Sequence, residues 1–223
     1  EGQIAVTDTK AYEGQAAKIT RVVASSGGND YVVDFEGAGE TKSVYTPAGV
    51  KLSGLFWEFN EALIGDLATD YKTGLRSARL RGRNGSAITM TNDLNGGLGT
   101  ITFNYRRYGT DTSQQPWAVE VSTNSGSSWT QIGANITPSD VVQTFSGTVN
   151  TTNKARIRVR LTTTPGTSGE RRFNIDDLVA TGYNPGGGNT VDSYIKSHAL
   201  AGGVGNVNFR YRHELDSTPP SGS

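Results

Sequence analysis

Short runs of alternating apolar and polar residues, separated by glycine- and asparagine-rich turns, dominate this sequence. The run from Gly99 to Gly109 is the clearest, because Ile101, Phe103 and Tyr105 share one face and polar residues share the other. Turn signals recur roughly every 10 to 20 residues, a spacing typical of sandwiches rather than of βαβ units. The pattern predicts an all-β chain that folds into an antiparallel two-sheet jelly-roll sandwich. The side chains predicted to lie in its core are Phe35, Trp57, Leu80, Ile101, Phe103, Val119, Val121, Trp129, Phe145, Ile157, Phe173 and Ile175.

Charge and cysteine content argue against several classes of function. The chain has 21 basic and 21 acidic residues, so its formal net charge is zero. Nucleic-acid-binding and anionic-membrane-binding proteins usually carry a basic excess, so nucleic acid is not favoured as a partner. The chain has no cysteine, which excludes disulfides and cysteine-based metal sites. It has no apolar run of about 18 residues, so no membrane insertion is expected.

One strand-like segment occurs twice in the chain. The segment LNGGLGTITFNYR (residues 94–106) returns as LAGGVGNVNFRYR (residues 200–212), with seven of thirteen positions identical. We call residues 200–212 the C-terminal repeat. A glycine-rich stretch, Asn184 to Asn189, separates it from the central unit. The predicted division is residues 1–29, residues 30–184 and residues 185–223.

The two flanks are predicted to supply strands of a partial outer β-sandwich into which the central unit is inserted. The N-terminal flank weakly resembles an early strand of the central unit, and the C-terminal repeat resembles the strand that follows it. Exposed loops tolerate such insertions at low entropic cost. The C-terminal repeat is expected to pair with residues 15–24. The remaining strands of the outer domain would lie outside this chain or come from another chain by strand exchange.

Five motifs of the central unit, taken in order, resemble a known family. They are VVDFEG, SARLRG, GGLGTITFNYRRYGTD, WAVEVSTNSGSSWTQIG and RRFNIDDLVATGY. Over residues 31–183 they resemble the jelly-roll module of secreted bacterial surface proteins, the choice-of-anchor type, which is similar in outline to carbohydrate-binding modules. The resemblance implies a non-catalytic accessory module that is extracellular or on the cell surface. It does not name a ligand.

The resemblance also implies a structural calcium ion, because carbohydrate-binding jelly rolls often hold one near their first and last strands. Its predicted ligands are Glu36, Asp70, Asp176 and Asp177. Asp177 has the parity of the core residue Ile175 and is expected to point inward, where a carboxylate needs a cation or hydrogen-bond donors. The alternative is a carboxylate that accepts backbone hydrogen bonds or pairs with an arginine. The arginines in question are Arg79, Arg81 and Arg172.

Exposed aromatic side chains would be the contact points for a sugar, and four are candidates. Tyr108 and Trp117 flank the loop GTDTSQQP and could line a site built from loops. Tyr71 and Trp57 are the other two, although Trp57 also fits a core position. Trp129 is expected in the core.

Catalysis is not expected. Both histidines, His198 and His213, lie in the C-terminal flank, so the central unit cannot hold a histidine-based triad. Asp176 and Asp177 are adjacent, and neighbouring strand residues point to opposite faces, so they cannot flank one glycosidic bond. The alternating arginines of ARIRVRL are expected to face solvent.

Two classes of function therefore stay open. The first is an extracellular module that binds carbohydrate or another surface protein. The second is a structural subunit of a surface assembly or filament, which self-associates by strand exchange through its flanks. An accessory role beside a secreted nuclease or another hydrolase is a more distant alternative.

Overall fold

A computed structural model describes residues 30–183 in full and the backbone of residues 17–21 and 191–195. Fourteen strands and no helix lie in these described parts. The strands are β1 (Ala17–Arg21), β2 (Tyr31–Val33), β3 (Ala48–Leu52), β4 (Leu55–Asn60), β5 (Ala62–Gly65), β6 (Ser77–Leu80), β7 (Ala87–Met90), β8 (Leu98–Arg107), β9 (Trp117–Ser122), β10 (Thr130–Gln131), β11 (Gln143–Thr151), β12 (Arg156–Leu161), β13 (Phe173–Ala180) and β14 (Val191–Ile195).

The central unit is a sandwich of two antiparallel sheets. The first sheet has the order β10-β9-β12-β7-β4-β3. The second sheet has the order β11-β8-β13-β6-β5, and β2 pairs with the end of β13 that β6 leaves free. Both sheets bury one face against the other, as alternating strands require. The predicted all-β, two-sheet jelly roll is confirmed.

The core between the sheets contains nearly all the side chains expected there. Of the predicted set, only Trp129 is not buried. Trp129 immediately precedes the short edge strand β10 and lies half-buried, with the Arg158 guanidinium 4.2 Å from its ring centroid. The prediction that Trp129 is a core residue is therefore wrong: its ring packs against Arg158, and its indole N–H donates to the Gly126 carbonyl at 3.2 Å.

A buried hydrogen-bond chain ties the two sheets together. Trp57 Nε1 of β4 donates to Tyr31 Oη of β2 at 2.9 Å, and that hydroxyl donates to the Leu52 carbonyl at 2.7 Å. Burial raises the pKa of Tyr31, so the phenol stays protonated and keeps both bonds at neutral pH. The chain therefore satisfies the indole and phenol groups that the core encloses.

A bulge in β13 changes the direction of its acidic side chains. The pairing with β8 shifts register between Asp176 and Val179, and Asp177 has a φ of 52°. A bulge inserts one residue, so the strict alternation of faces is lost at that point. Asp176 is consequently fully buried, whereas Asp177 is only half-buried. The parity argument that pointed Asp177 into the core is wrong for this reason.

The described parts of the two flanks pair with each other. β1 and β14 form an antiparallel two-stranded sheet in which Ala17 lies opposite Ile195. The chain divides into two compact units, Ser25–Gly187 on one side and Glu1–Ala24 with Gly188–Ser223 on the other. The C-terminal repeat lies outside the described residues, so its predicted pairing and the partial outer domain stay predictions.

Candidate functional site

The outer face of the first sheet carries a depression that runs along β7. Ala87 and Thr89 of β7 are directly opposite Asn60 and Glu58 of β4 on one side, and opposite arginines of β12 on the other. Because Ala87 and Thr89 are shorter than their neighbours, the surface dips between two rows of long polar side chains. A cavity of about 260 Å³ lies there. We call this feature the trough: its floor is Ala87 and Thr89, and its walls are Glu58 with Asn60 and Arg158 with Arg160.

One buried carboxylate fixes the arginine wall. Glu120 of β9 is only 5% exposed. Its Oε2 accepts from Arg158 Nε at 2.7 Å, and its two oxygens accept from Arg160 Nε at 3.0 Å. Burial opposes ionisation of Glu120, but the hydrogen bonds from Arg160 and Arg158 outweigh it and lower the pKa of this carboxyl. The two guanidinium groups are therefore held in place before any ligand arrives.

A second carboxylate holds the third arginine of β12. Asp93 Oδ1 accepts from Arg156 Nε at 2.6 Å, and Asp93 Oδ2 lies 2.9 Å from Lys154 Nζ. Hydrogen bonds from Lys154 and Arg156 lower the pKa of Asp93 to about 2. The expectation that these arginines simply face solvent is incomplete, because all three are half-buried and paired with acids.

Two aromatic side chains lie on the same outer face. Trp129 stacks under Arg158, and Phe56 of β4 is 51% exposed with Lys51 Nζ 5.8 Å from its ring centroid. Phe56, Glu58 and Asn60 alternate along β4 and therefore point to the same side. The face thus offers apolar ring surface beyond the trough and hydrogen-bonding groups within it.

Two of the aromatic residues predicted to bind a ligand are not accessible. Trp57 is 1% exposed and Trp117 is fully buried, with its ring 4.6 Å from that of Phe173. A sugar stacks on an open ring face, so neither tryptophan can serve as a platform in this fold. Trp117 is the first residue of β9, and its side chain points into the core. The prediction that Trp117 lines a site built from loops is therefore wrong.

The other two candidate aromatics lie on the second sheet's side. Tyr108 is 8% exposed, and its ring centroid lies 4.2 Å from Arg172 Cζ and 4.8 Å from Arg79 Cζ. Its hydroxyl accepts from Thr69 Oγ1 at 2.6 Å. Tyr71 is half-buried, and its backbone N–H donates to Asn174. Arginine side chains thus pack against the ring of Tyr108. A ligand-binding role for Tyr71 stays a prediction.

Asp70 and Glu36, two of the predicted calcium ligands, already have partners. Asp70 Oδ1 accepts from Asn174 Nδ2 at 2.8 Å and lies 3.2 Å from Arg79 Nε. Glu36 Oε1 accepts the backbone N–H groups of Leu75 and Arg76 at 2.7 and 2.9 Å. Both carboxylates therefore match the alternative to a calcium site, in which the carboxylate accepts backbone hydrogen bonds or pairs with an arginine.

Asp176 and Asp177 instead converge on one hydroxyl. The Thr73 hydroxyl is placed to donate to either carboxylate. Its Oγ1 lies 3.1 Å from Asp176 Oδ2 and 3.0 Å from Asp177 Oδ1. Burial raises the pKa of Asp176, and the backbone N–H of Thr73 opposes that shift by donating at 2.7 Å. The bulge turns both carboxylates to one side, so the argument that they must point apart is wrong. Within the described residues, no group of three His, Cys, Asp or Glu side chains is arranged to hold a metal.

Similar folds occur among solved structures, while the sequence itself has no close match. No protein-family model matches the sequence, and no curated protein is significantly similar to it. The xylan-binding domain CBM22-1 from Paenibacillus barcinonensis Xyn10C is 11% identical, with a TM-score of 0.48 over 72% of this chain and 99% of that one. The K2 cleaved adhesin domain of Lys-gingipain is 14% identical, with a TM-score of 0.47 over 68% and 97%.

A third similar structure is a complex with a sugar ligand. The family 11 carbohydrate-binding module from Clostridium thermocellum, in complex with a β-1,3-1,4-mixed-linked tetrasaccharide, is 15% identical, with a TM-score of 0.40 over 70% and 96%. These neighbours are jelly-roll carbohydrate-binding modules and an adhesin domain, and the likeness concerns the fold alone. The two-sheet sandwich itself confirms the fold that the motif resemblance implies. In the described parts of the chain, no helix is long and apolar enough to cross a membrane.

Proposed function

We propose that the chain is a non-catalytic module that binds a neutral polysaccharide along the trough. The observation that carries this proposal is the trough itself, an open depression with amide and carboxylate groups on one wall and anchored guanidinium groups on the other. Sugar hydroxyls both donate and accept hydrogen bonds, so a mixed set of this kind suits them. A polysaccharide ligand places the function outside the cell or on its surface.

The charge of the trough supports a neutral ligand. Glu58 and Glu120 provide two negative charges, and Arg158 and Arg160 provide two positive charges, so the local sum is zero. Phosphate-rich ligands need a basic excess that the trough does not have. Nucleic acid is therefore not proposed as a partner.

The shape of the trough supports an extended ligand. Ala87, Thr89 and Thr91 follow one another on the same face, and the five residues from 87 to 91 rise about 13 Å at strand spacing. That length accommodates a short run of sugar rings. Phe56 lies level with Thr91, whose hydroxyl donates to the Phe56 carbonyl, so an apolar ring face lies near that end.

Filling the floor of the trough should abolish binding. Ala87→Tyr introduces a strand-compatible ring between the two walls, and we expect at least about a tenfold loss of affinity, or roughly 1.4 kcal/mol. Calorimetry with soluble xylan, mixed-linked glucan and mannan measures it, with acidic polygalacturonate as the charged comparison. Thr102→Tyr is the matched control, since Thr102 is half-buried on the outer face of the second sheet. Loss of binding in Thr102→Tyr but not in Ala87→Tyr would show that the ligand binds to the second sheet instead.

A structural role in a surface assembly is the second candidate function. It is favoured by the pairing of β1 with β14, which is a sheet of two strands in the described parts of the flanks. Two strands alone are marginally stable in water, so such a sheet gains from further strands. Strands of a neighbouring molecule could supply them by exchange through the flanks.

Calcium is proposed only for the Asp176–Asp177 pair. One oxygen of each carboxylate lies near Thr73 Oγ1. Carboxylate and hydroxyl oxygens are the kind of ligand that calcium prefers. Asp70 does not fit such a site, because the Arg79 guanidinium occupies its carboxylate.

Removal of calcium should then lower the melting temperature, because an ion that binds only the folded chain stabilises it. Melting curves in calcium and in EDTA measure the difference. Asp177→Asn should reduce that difference, whereas Asp70→Asn should lower stability equally in both conditions. Identical curves for the native chain in calcium and EDTA would establish the hydrogen-bonded alternative.

A further inference from the structure

Strand β11 forms a long edge of the second sheet that is regular over its first six residues. It spans nine residues, Gln143–Thr151, and is the outermost strand of its sheet. None of these residues is charged or a proline, and two exposed valines, Val141 (63%) and Val142 (49%), precede them. Soluble proteins usually protect such edges with lysine, proline, bulges or a covering segment. The register of β11 against β8 shifts between Thr148 and Thr151, so this end of the strand is irregular. The regular part, residues 143–148, has the character of an acceptor for an added strand.

Three other edge strands of the sandwich have such protection. Edge strand β3 carries the exposed Lys51, and β10 is only two residues long. Edge strand β5 is covered, because Ile64 N–H donates to the Lys42 carbonyl at 2.8 Å. β2, which pairs with β13 alone in the described part of the chain, has only three residues. Among the described edge strands of the sandwich, β11 is the longest, and the contrast singles it out.

The sequence of the chain indicates which strand fits this edge. On its inner side β11 already pairs with β8, with Phe145 opposite Phe103 and Ser146 opposite Thr102. β8 is the strand of LNGGLGTITFNYR, and the C-terminal repeat retains its leucine, glycines, phenylalanine, tyrosine and arginine. Cross-strand pairs determine register, so a strand with the β8 pattern should suit β11 from either side.

We propose that the C-terminal repeat of one molecule adds as a strand to the free edge of β11 in a second molecule. In the register of β8, Phe209 lies opposite Phe145 and Asn208 lies opposite Ser146. The pairing is proposed between two molecules because strand exchange, the second proposed function, joins one molecule to the next. A strand has two edges, and pairing of the repeat within its own flank leaves the other edge open.

The contact gives the strand-exchange function a defined acceptor. Donor and acceptor are different surfaces of one chain, so the interface is heterologous and generates open chains of molecules unless the rotation closes a ring. β11 belongs to the second sheet and the trough to the first, so glycan binding continues in the assembly. The inference rests on the second proposed function and is independent of the first.

Cysteine cross-linking tests the register directly, because the native chain has no cysteine. A Ser146→Cys chain mixed with an Asn208→Cys chain should form a disulfide-linked heterodimer on mild oxidation, since opposite strand residues lie within disulfide reach. Val207→Cys is the matched control, because its side chain points to the other face and should not cross-link.

Three results would overturn the proposal. Homodimers of the Ser146→Cys chain alone would show that β11 pairs with β11. An internal disulfide in a chain carrying both cysteines would show pairing within one molecule. A heterodimer yield no greater than that of the Val207→Cys control would show no pairing at this register.

A second measurement separates this contact from general stability and from glycan binding. Ser146→Lys with Thr148→Lys places two charges on exposed positions of β11. Sedimentation should show loss of self-association, while the melting curve and the polysaccharide affinity of the same variant stay unchanged. Unaltered self-association would reject β11 as the acceptor, whereas lost glycan binding in Ala87→Tyr bears only on the trough.

Discussion

Replacement of Trp57 by alanine is expected to lower the free energy of unfolding by about 3–5 kcal/mol, the range for large aromatic side chains deleted from a core. Trp57 is 1% exposed, and its indole N–H is the first donor in the chain through Tyr31 to the Leu52 carbonyl. The substitution leaves a cavity between the sheets and removes the bond between β4 and β2. Chemical denaturation at neutral pH measures the loss.

Two further variants separate packing from hydrogen bonding. Trp57→Phe keeps most of the ring volume but removes the donor to Tyr31, so a smaller loss of about 1–3 kcal/mol is expected. Trp129→Ala removes a tryptophan that is half-buried on the outer face and should cost less than Trp57→Ala. A Trp57→Ala variant with native stability and weakened sugar binding would instead show that Trp57 contacts the ligand.

The sheets could be predicted because their signal is local. In β8 the alternation of Ile101, Phe103 and Tyr105 with polar residues gives the buried face directly, and all three are buried. Trp129 was misplaced because the pattern of its hairpin does not reveal what packs against its ring. The indole packs against Arg158, a residue 29 positions along the chain.

The bulge at Asp177 and the trough depend on partners distant in sequence. The argument that alternate residues share a face assumes regular strand pairing. Nothing in the sequence near Asp177 indicates that the register against β8 shifts there. The trough requires β7 to lie between β4 and β12, which the order of strands along the chain does not reveal. The short side chains of Ala87 and Thr89 become meaningful only when Glu58 and Arg158 flank them.

Glu120 supports the arginine wall of the trough, and its replacement tests stability and binding together. Glu120→Gln removes the negative charge between Arg158 and Arg160 and halves the acceptor capacity of the side chain. We expect a loss of about 1–3 kcal/mol of stability, below the range for fully buried pairs because both arginines reach solvent. Polysaccharide affinity should fall as well, because the guanidinium groups lose their common anchor.

Glu58→Gln is the matched control on the opposite wall. Glu58 is exposed, so its replacement should change stability by less than about 0.5 kcal/mol. Its effect on affinity therefore reports contact with the ligand, whereas the effect of Glu120→Gln reports the positioning of the arginines. Equal stability of the native chain and Glu120→Gln would show that the carboxylate does not anchor the wall.

The pH dependence of the Glu120→Gln effect provides an independent check. The folded chain lowers the pKa of Glu120 below its ordinary value of 4.5. A lowered folded pKa stabilises the folded state above the unfolded value, and this contribution is lost as the pH falls through the folded value. The stability difference between the native chain and Glu120→Gln should therefore be constant from neutral pH to just above 4.5 and shrink in more acidic solution. A difference that grew on acidification would contradict the ion-pair role, because a carboxylate held by Arg158 and Arg160 loses its advantage once it is protonated.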